Sequence, residues 1–194
     1  MSTSTDVLRR GAAPKRSKRS AAPRSHLDNR ATELVARESA PVAYLRTKGV
    51  DAFVERIAGA TPMELVDAEM QGVDGMFVKD LTKRMAIPAV RMYAILGVPK
   101  ATAEKKVAGR EVIAGVGGRA ALGLARLLAI TEEIVANSKA PEAKGFDTAR
   151  WLGQWIERPQ PALGGRKPAD LIATPTGLAM VERVLGAIES GAYQ

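Results

Sequence analysis

From Trp151 to the C-terminus the chain reads WLGQWIERPQPALGGRKPADLIATPTGLAMVERVLGAIESGAYQ. Its glycines and prolines are spaced so that little except short helices and tight turns fits between them. Asp147 stands where an N-cap is needed for a helix carrying Trp151 and Trp155 one turn apart on one face, and Pro159 and Pro161 stop that helix. Leu163-Gly164-Gly165-Arg166 predicts a turn. Pro168 suits the first position of a second short helix with Leu171 and Ile172 inward, and Thr174-Pro175 repeats the cap-then-proline start. The last helix has Leu178, Val181, Val184, Leu185 and Ile188 at helical spacing, and Gly191 is placed to end it. The result is a small module of three short helices on a two-tryptophan anchor.

Upstream, Thr61-Pro62-Met63-Glu64 joins a capping box to a proline at the first helical position. Met63, Leu65, Val66 and Met70 are expected to form the buried side of that helix up to Gly72. A second helix carries Met76, Phe77, Leu81 and Met85, and a short one over 51–58 precedes both. Residues 87–109, IPAVRMYAILGVPKATAEKKVAG, predict a helix over 88–96 that buries Val90, Tyr93, Ala94 and Leu96. Gly97 then permits a sharp turn and Pro99 opens another helix, with Thr102 inside it and Gly109 closing it. Two helices on a glycine turn have the layout of a helix-turn-helix. VIAGVGG, residues 112–118, has no GxxxxGK[ST] and no preceding strand, so it is expected to be a flexible link rather than a phosphate loop. The apolar helix after it is expected over 119–136, with Leu124, Leu127, Leu128, Ile130, Ile134 and Val135 on its face, and 137–145 reads as a loop.

The C-terminal stretch resembles the toxin-binding domain of the Xre/MbcA/ParS family of bacterial antitoxins. The likeness is carried by Trp151, the run from Gln160 to Pro168, Asp170-Leu171-Ile172, Thr174, Gly177, Val181, Leu185, Ile188, Glu189 and Gly191. The 87–109 segment resembles the Xre-type helix-turn-helix, so the likeness spans roughly 61–194. It departs at Pro99, where the family more often has Ser, at Ala103, where a larger aliphatic is usual, and at Glu104, which puts a carboxylate on the face meant for DNA. The resemblance implies an all-α fold: an Xre-like helix-turn-helix bundle over 61–140, then a toxin-binding domain over 146–194. Ahead of these stand a less defined helical segment over 27–60 and a disordered basic tail over 1–26.

The net charge of +8 does not by itself indicate nucleic acid. Residues 1–30 hold eight Lys/Arg and two Asp, which is +6 of it. Within that tail Lys15-Arg16-Ser17-Lys18-Arg19 could add phosphate contacts or simply be solvated, and His26 at its edge is expected to be exposed. The chain has no cysteine and no apolar run of the ~18 residues that span a bilayer, which fits a cytoplasmic protein with no membrane partner. One His and no Cys leave no visible nucleophile with its base and no metal site, and Glu132-Glu133 lie on what reads as an exposed helix face. No enzyme activity, cofactor or metal is expected.

The resemblance implies an antitoxin that blocks the active site of a cognate RES-domain toxin, an enzyme that degrades NAD, and that autoregulates its operon as a homodimer on operator DNA. The candidate DNA-binding residues are Lys100, Thr102, Glu104, Lys105 and Lys106. The candidate toxin contacts are Arg166, Val184, Ile188, Glu189, Tyr193 and Gln194. Gly97, Trp151, Trp155, Leu163, Gly164, Gly165 and Pro168 are the structural framework. A helix-turn-helix transcription regulator without a toxin partner is the alternative, and a structural adaptor is a third reading.

Overall fold

The computed structural model describes residues 41–189. Expectations for 1–26, including Lys15 to Arg19 and His26, for 27–40, and for Ser190, Gly191, Ala192, Tyr193 and Gln194 lie outside the described residues. Among those described, the elements are α1 (Gly49–Ala58), α2 (Pro62–Gln71), β1 (Val73–Asp74), α3 (Gly75–Arg84), α4 (Ala89–Ile95), α5 (Lys100–Gly109), β2 (Val112–Ile113), α6 (Gly115–Asn137), α7 (Thr148–Trp155) and α8 (Pro175–Glu189). The fold is helical, as expected. Single 3₁₀ turns at Pro141–Ala143, Pro161–Leu163 and Pro168–Asp170 complete it.

Helix α6 is the element on which the others pack. At 23 residues it is roughly 35 Å long, and its stretch from Ala120 to Ala125 is buried on every side, followed by Leu127, Leu128 and Thr131. A helix apolar all round must be a core helix. Helices α1, α2, α7 and α8 all lie against it, so the buried side chains form one cluster running from Tyr44 to Leu185. At one end of that cluster Tyr44, Phe53 and Phe77 meet with ring centroids 4.7–5.7 Å apart. The Tyr44 hydroxyl donates to Asp80 at 2.7 Å, and burial first, then that carboxylate, raises its pKa.

Three expectations are corrected. Residues 112–118 are not a flexible link. Val73 pairs with Ile113 and Asp74 with Val112 in a two-stranded antiparallel ladder, which satisfies backbone groups that a loop would leave to water, and α6 begins at Gly115. Gly118 then lies against β2 so closely that a Cβ would come 2.4 Å from the Ile113 carbonyl oxygen. These glycines allow strand and helix to approach each other.

The outer side of α2 is the second correction. Its capping box forms: Glu64 N–H donates to Thr61 Oγ1 at 3.3 Å, and Thr61 N–H to Glu64 Oε2 at 2.8 Å. Yet Met63, Val66 and Met70 are 69%, 47% and 78% exposed. The helix lies on α6 through the small Ala68 and half-buried Leu65, and close approach on that side turns the larger residues outward.

In α4 and its C-cap, Tyr93 and Leu96 are buried as expected, but Val90 and Ala94 are not. Met92 and Leu96, one turn apart, point inward beside Tyr93 and Ile95, so Val90 and Ala94, half a turn away, face solvent. The turn after α4 is as expected: Gly97 has φ +66, and Val98 N–H donates back to the Tyr93 carbonyl at 2.9 Å.

Candidate functional site

The C-terminal module assembles from its turns. Asp147 caps α7, its carboxylate accepting from Arg150 N–H at 3.2 Å and from the Arg84 guanidinium at 2.7 Å. Those two donors hold the Asp147 carboxyl below the usual range, Arg84 contributing most. Trp151 and Trp155 stack with centroids 6.0 Å apart, and Phe146 leans on Trp151 at 6.2 Å. Gly153 brings α7 against the turn after α3, where a Cβ would sit 2.3 Å from the Met85 carbonyl oxygen.

The glycine turn is closed by backbone bonds. Gln160 N–H donates to Arg166 O and Gly165 N–H to Gln160 O, both at 3.0 Å, while Gly164 and Gly165 take φ values of +66 and +76. No side chain lies within 4 Å of where either Cβ would be, so these glycines are required by backbone sign rather than by space. Leu163 buries the near side of the turn and Arg166 is exposed on it. Ala169 N–H then donates to the Ile156 carbonyl at 2.9 Å, stitching the Pro168–Asp170 turn to the end of α7. Thr174 caps α8, accepting from Gly177 N–H at 3.1 Å, and Gly177 is needed because a Cβ would lie 2.2 Å from Leu171 O.

Of the candidate toxin contacts, Arg166 is exposed, Val184 is 8% exposed and belongs to the core, and Ile188 packs against the core. Glu189 is the last described residue of α8, and Tyr193 and Gln194 lie outside the described residues. Because Val181, Val184 and Leu185 face inward, the surface that α8 offers is made by Ala179, Met180 and Arg183. Sequence reasoning passes over Met180, 40% exposed, because it stands one turn from Val184 at the edge of the buried stripe and spacing alone does not separate the two. Trp155, Leu163 and Pro168 are buried and Trp151 is half-buried.

On α5, Lys100, Thr102, Glu104 and Lys105 are exposed, and Ala103 is fully buried where α5 meets its neighbours. Two of the lysines are already engaged. Lys106 donates to the Val112 carbonyl at 2.8 Å and faces Glu111 at 3.8 Å, so it ties α5 to β2. Lys100 faces Glu104, one turn on, at 3.8 Å.

Helix α4 is clamped to the module by ions. The Arg91 guanidinium donates to Glu157 at 2.5 and 3.1 Å and to Asp170 at 3.1 Å, and Lys167 approaches Glu157 at 3.4 Å. No local pattern signals this pairing, whose partners are 66 and 79 residues apart.

The architecture can be set beside known proteins. Residues 145–191 match the family model described as "Antitoxin Xre/MbcA/ParS C-terminal toxin-binding domain". Over 147 residues the chain is 33% identical to a protein of Sphingobium sp. (strain YBL2) named "Prs ADP-ribosylating antitoxin", an alignment that covers 75% of this chain and 91% of the relative. The matched span of 145–191 contains the stacked tryptophans, the Gly164-Gly165 turn and the whole of α8, and this chain belongs to the Xre/MbcA/ParS family of antitoxins.

Proposed function

We propose that this antitoxin binds a cognate RES-domain toxin through the exposed side of its C-terminal module and covers the entrance to the toxin's active site, acting by binding and not by catalysis. The observation that carries the reading is the outward side of 145–191: a fixed cation, Arg166, at the rigid glycine turn, and an aliphatic-cationic strip, Met180 and Arg183, on α8. Arg166 can fork onto a carboxylate or phosphate, and Met180 adapts to an irregular apolar contact. Tyr193 and Gln194, which follow Glu189 in sequence, are proposed as further contacts, Tyr193 as an aromatic anchor.

The toxin's chemistry is proposed to consume NAD. The relative's name refers to ADP-ribosylation of Prs, and ADP-ribosyl transfer splits NAD at its nicotinamide bond. A toxin of this class is silenced when NAD cannot enter.

The second part of the proposal is promoter binding through α4 and α5, with a dimer on half-sites about one helical turn apart. Its support is the Gly97 turn between two helices and the exposed Lys100, Thr102 and Lys105 on the second.

The test is co-expression with a candidate RES-domain toxin taken from a neighbouring reading frame. Deleting the module is a poor variant, since Leu152, Trp155, Ile156, Val181 and Leu185 belong to the common core and their loss would uncover α6. Surface changes are the better choice: Arg166→Glu with Met180→Asp should abolish growth rescue while thermal unfolding stays as in the parent. Full rescue by the double variant would place the toxin contact elsewhere.

A further inference from the structure

The helix-turn-helix is poor in free cations. Lys106 is spent on β2, Lys100 stands beside Glu104, and Lys105 alone of the three α5 lysines has no carboxylate within 4 Å among the described residues. A protein that holds duplex DNA must neutralise several phosphates, because that sequence-independent term carries most of the affinity. Under the promoter-binding reading, further cations have to come from outside these two helices.

A groove of about 570 Å³ runs between residues 85–91, which lead into α4, and α7. Its shape is fixed by backbone: Ala86 takes φ +54, a left-handed conformation unusual for a residue with a Cβ, and the neighbouring Met85 carbonyl is seated on Gly153. Arg150 and Arg158 line the α7 side, with Gln154 between them in sequence. Both arginines are exposed, and neither has an ion pair or side-chain hydrogen bond among the described residues. Their neighbours Arg84 and Arg91 differ in this, each holding two carboxylates. The acid that lines the groove, Glu157, is neutralised by Arg91 and Lys167.

We propose that this groove is a phosphate site for the backbone of duplex DNA, with Arg150 and Arg158 as the contacting cations. The proposal rests on the promoter-binding reading and extends it. In a helix-turn-helix the first helix crosses the DNA backbone while the second enters the major groove. Here the first helix is α4, and the groove lies beside its leading segment. A strand passing α4 therefore meets two guanidinium groups supplied by the C-terminal module. The other candidate occupant is an acidic face of the toxin. DNA is favoured because one wall, residues 85–91, lies outside the matched toxin-binding span, while Arg150 and Arg158 lie within it, and because a phosphodiester backbone carries an anion at every step.

The experiment is fluorescence anisotropy with two labelled short duplexes, one from upstream of this reading frame and one random, titrated over a range of salt with the full chain, its R150Q/R158Q variant, and K144Q as a control outside the groove. Phosphate contacts position the protein without reading sequence. The double variant should therefore bind both duplexes more weakly, keep the parent's preference between them, and lose about 2 from the slope of log affinity against log salt, at about 0.9 per contact. K144Q should keep the parental slope, and all three proteins should melt together. If the parent binds neither duplex, the promoter reading fails and this one with it. If the parent binds and the double variant keeps its slope, or K144Q falls equally, the groove site alone is overturned. Unchanged DNA binding with loss of the toxin complex would assign the groove to an acidic protein surface and also overturn the proposal.

Discussion

Arg91 of α4 grips Glu157, just past the end of α7, with two guanidinium bonds, 2.5 and 3.1 Å long. A fork onto one carboxylate fixes orientation as well as distance, and a third bond to Asp170 sets the position of the Pro168–Asp170 turn. The clamp therefore makes the angle between α4 and α7 a property of side chains and not only of the core.

Replacing Arg91 by Ala should lower the free energy of unfolding by about 1 kcal/mol, since about a third of each partner is exposed and solvent screens the pair. Arg91→Lys should recover only part of this, because an ammonium cannot fork. Urea unfolding would measure both, and an Ala variant with the parental midpoint would show that the clamp adds no stability.

Two glycine substitutions should move stability in opposite directions. In Gly153→Ala the new methyl would meet the Met85 carbonyl oxygen at 2.3 Å, and backbone cannot swing aside as a side-chain end can, so a loss of about 1–3 kcal/mol is expected. Gly186 lies inside α8 with nothing within 4 Å of its absent Cβ, and Gly186→Ala should gain roughly 0.5–1 kcal/mol from helix propensity. Thermal unfolding of the pair decides the matter, and the same sign for both would contradict the packing described.

The Thr61 cap gives a pH signature. Glu64 is held down from 4.5 to about 2, first by the Thr61 backbone N–H and then by Arg56. A carboxylate with a depressed folded pKa contributes fully above its unfolded value, and that contribution is lost as pH falls from about 4.5 through about 2. Glu64→Gln should therefore flatten this acid limb and leave the neutral-pH dependence unchanged. Thr61→Ala should cost about 1 kcal/mol at neutral pH. Acid unfolding curves of parent and Glu64→Gln that run parallel would remove the carboxylate from the account.

The chain order of caps and breakers is readable because each acts within a turn of itself: Thr61, Asp147 and Thr174 cap where they stand, and Gly97, Gly164 and Gly165 turn where they stand. Which side of a helix is buried is less readable. Met63, Val66 and Met70 have the spacing of a core stripe, but whether a stripe is covered depends on what lies opposite, and α6 takes the small side of α2 instead. The β1–β2 ladder and the Arg91 clamp are invisible for a related reason, since each joins residues tens of positions apart without periodicity to announce it. At the site, the glycine turn and the exposure of Arg166 are legible, and the burial of Val184 fits its spacing with Val181 and Leu185.

Val184 and Met180 lie one turn apart on α8 and should answer differently to the same question. Val184 is buried at 8% exposure, so Val184→Ala should lower stability by about 1.5 kcal/mol, at about 0.8 kcal/mol for each methyl or methylene removed, with the toxin's affinity for the folded fraction unchanged. Met180 is 40% exposed on the face proposed to meet the toxin, so Met180→Asp should leave stability within about 0.5 kcal/mol and weaken the complex at least tenfold. Removing Ala192, Tyr193 and Gln194 separates contact from occlusion: the complex should persist while NAD consumption by the bound toxin returns. Calorimetry of the complex together with an NAD consumption assay reads all three variants. If Met180→Asp binds as the parent does and the truncated chain still inhibits fully, the exposed side of α8 and the terminal residues are not the toxin contact, and the turn at Arg166 is left to carry it.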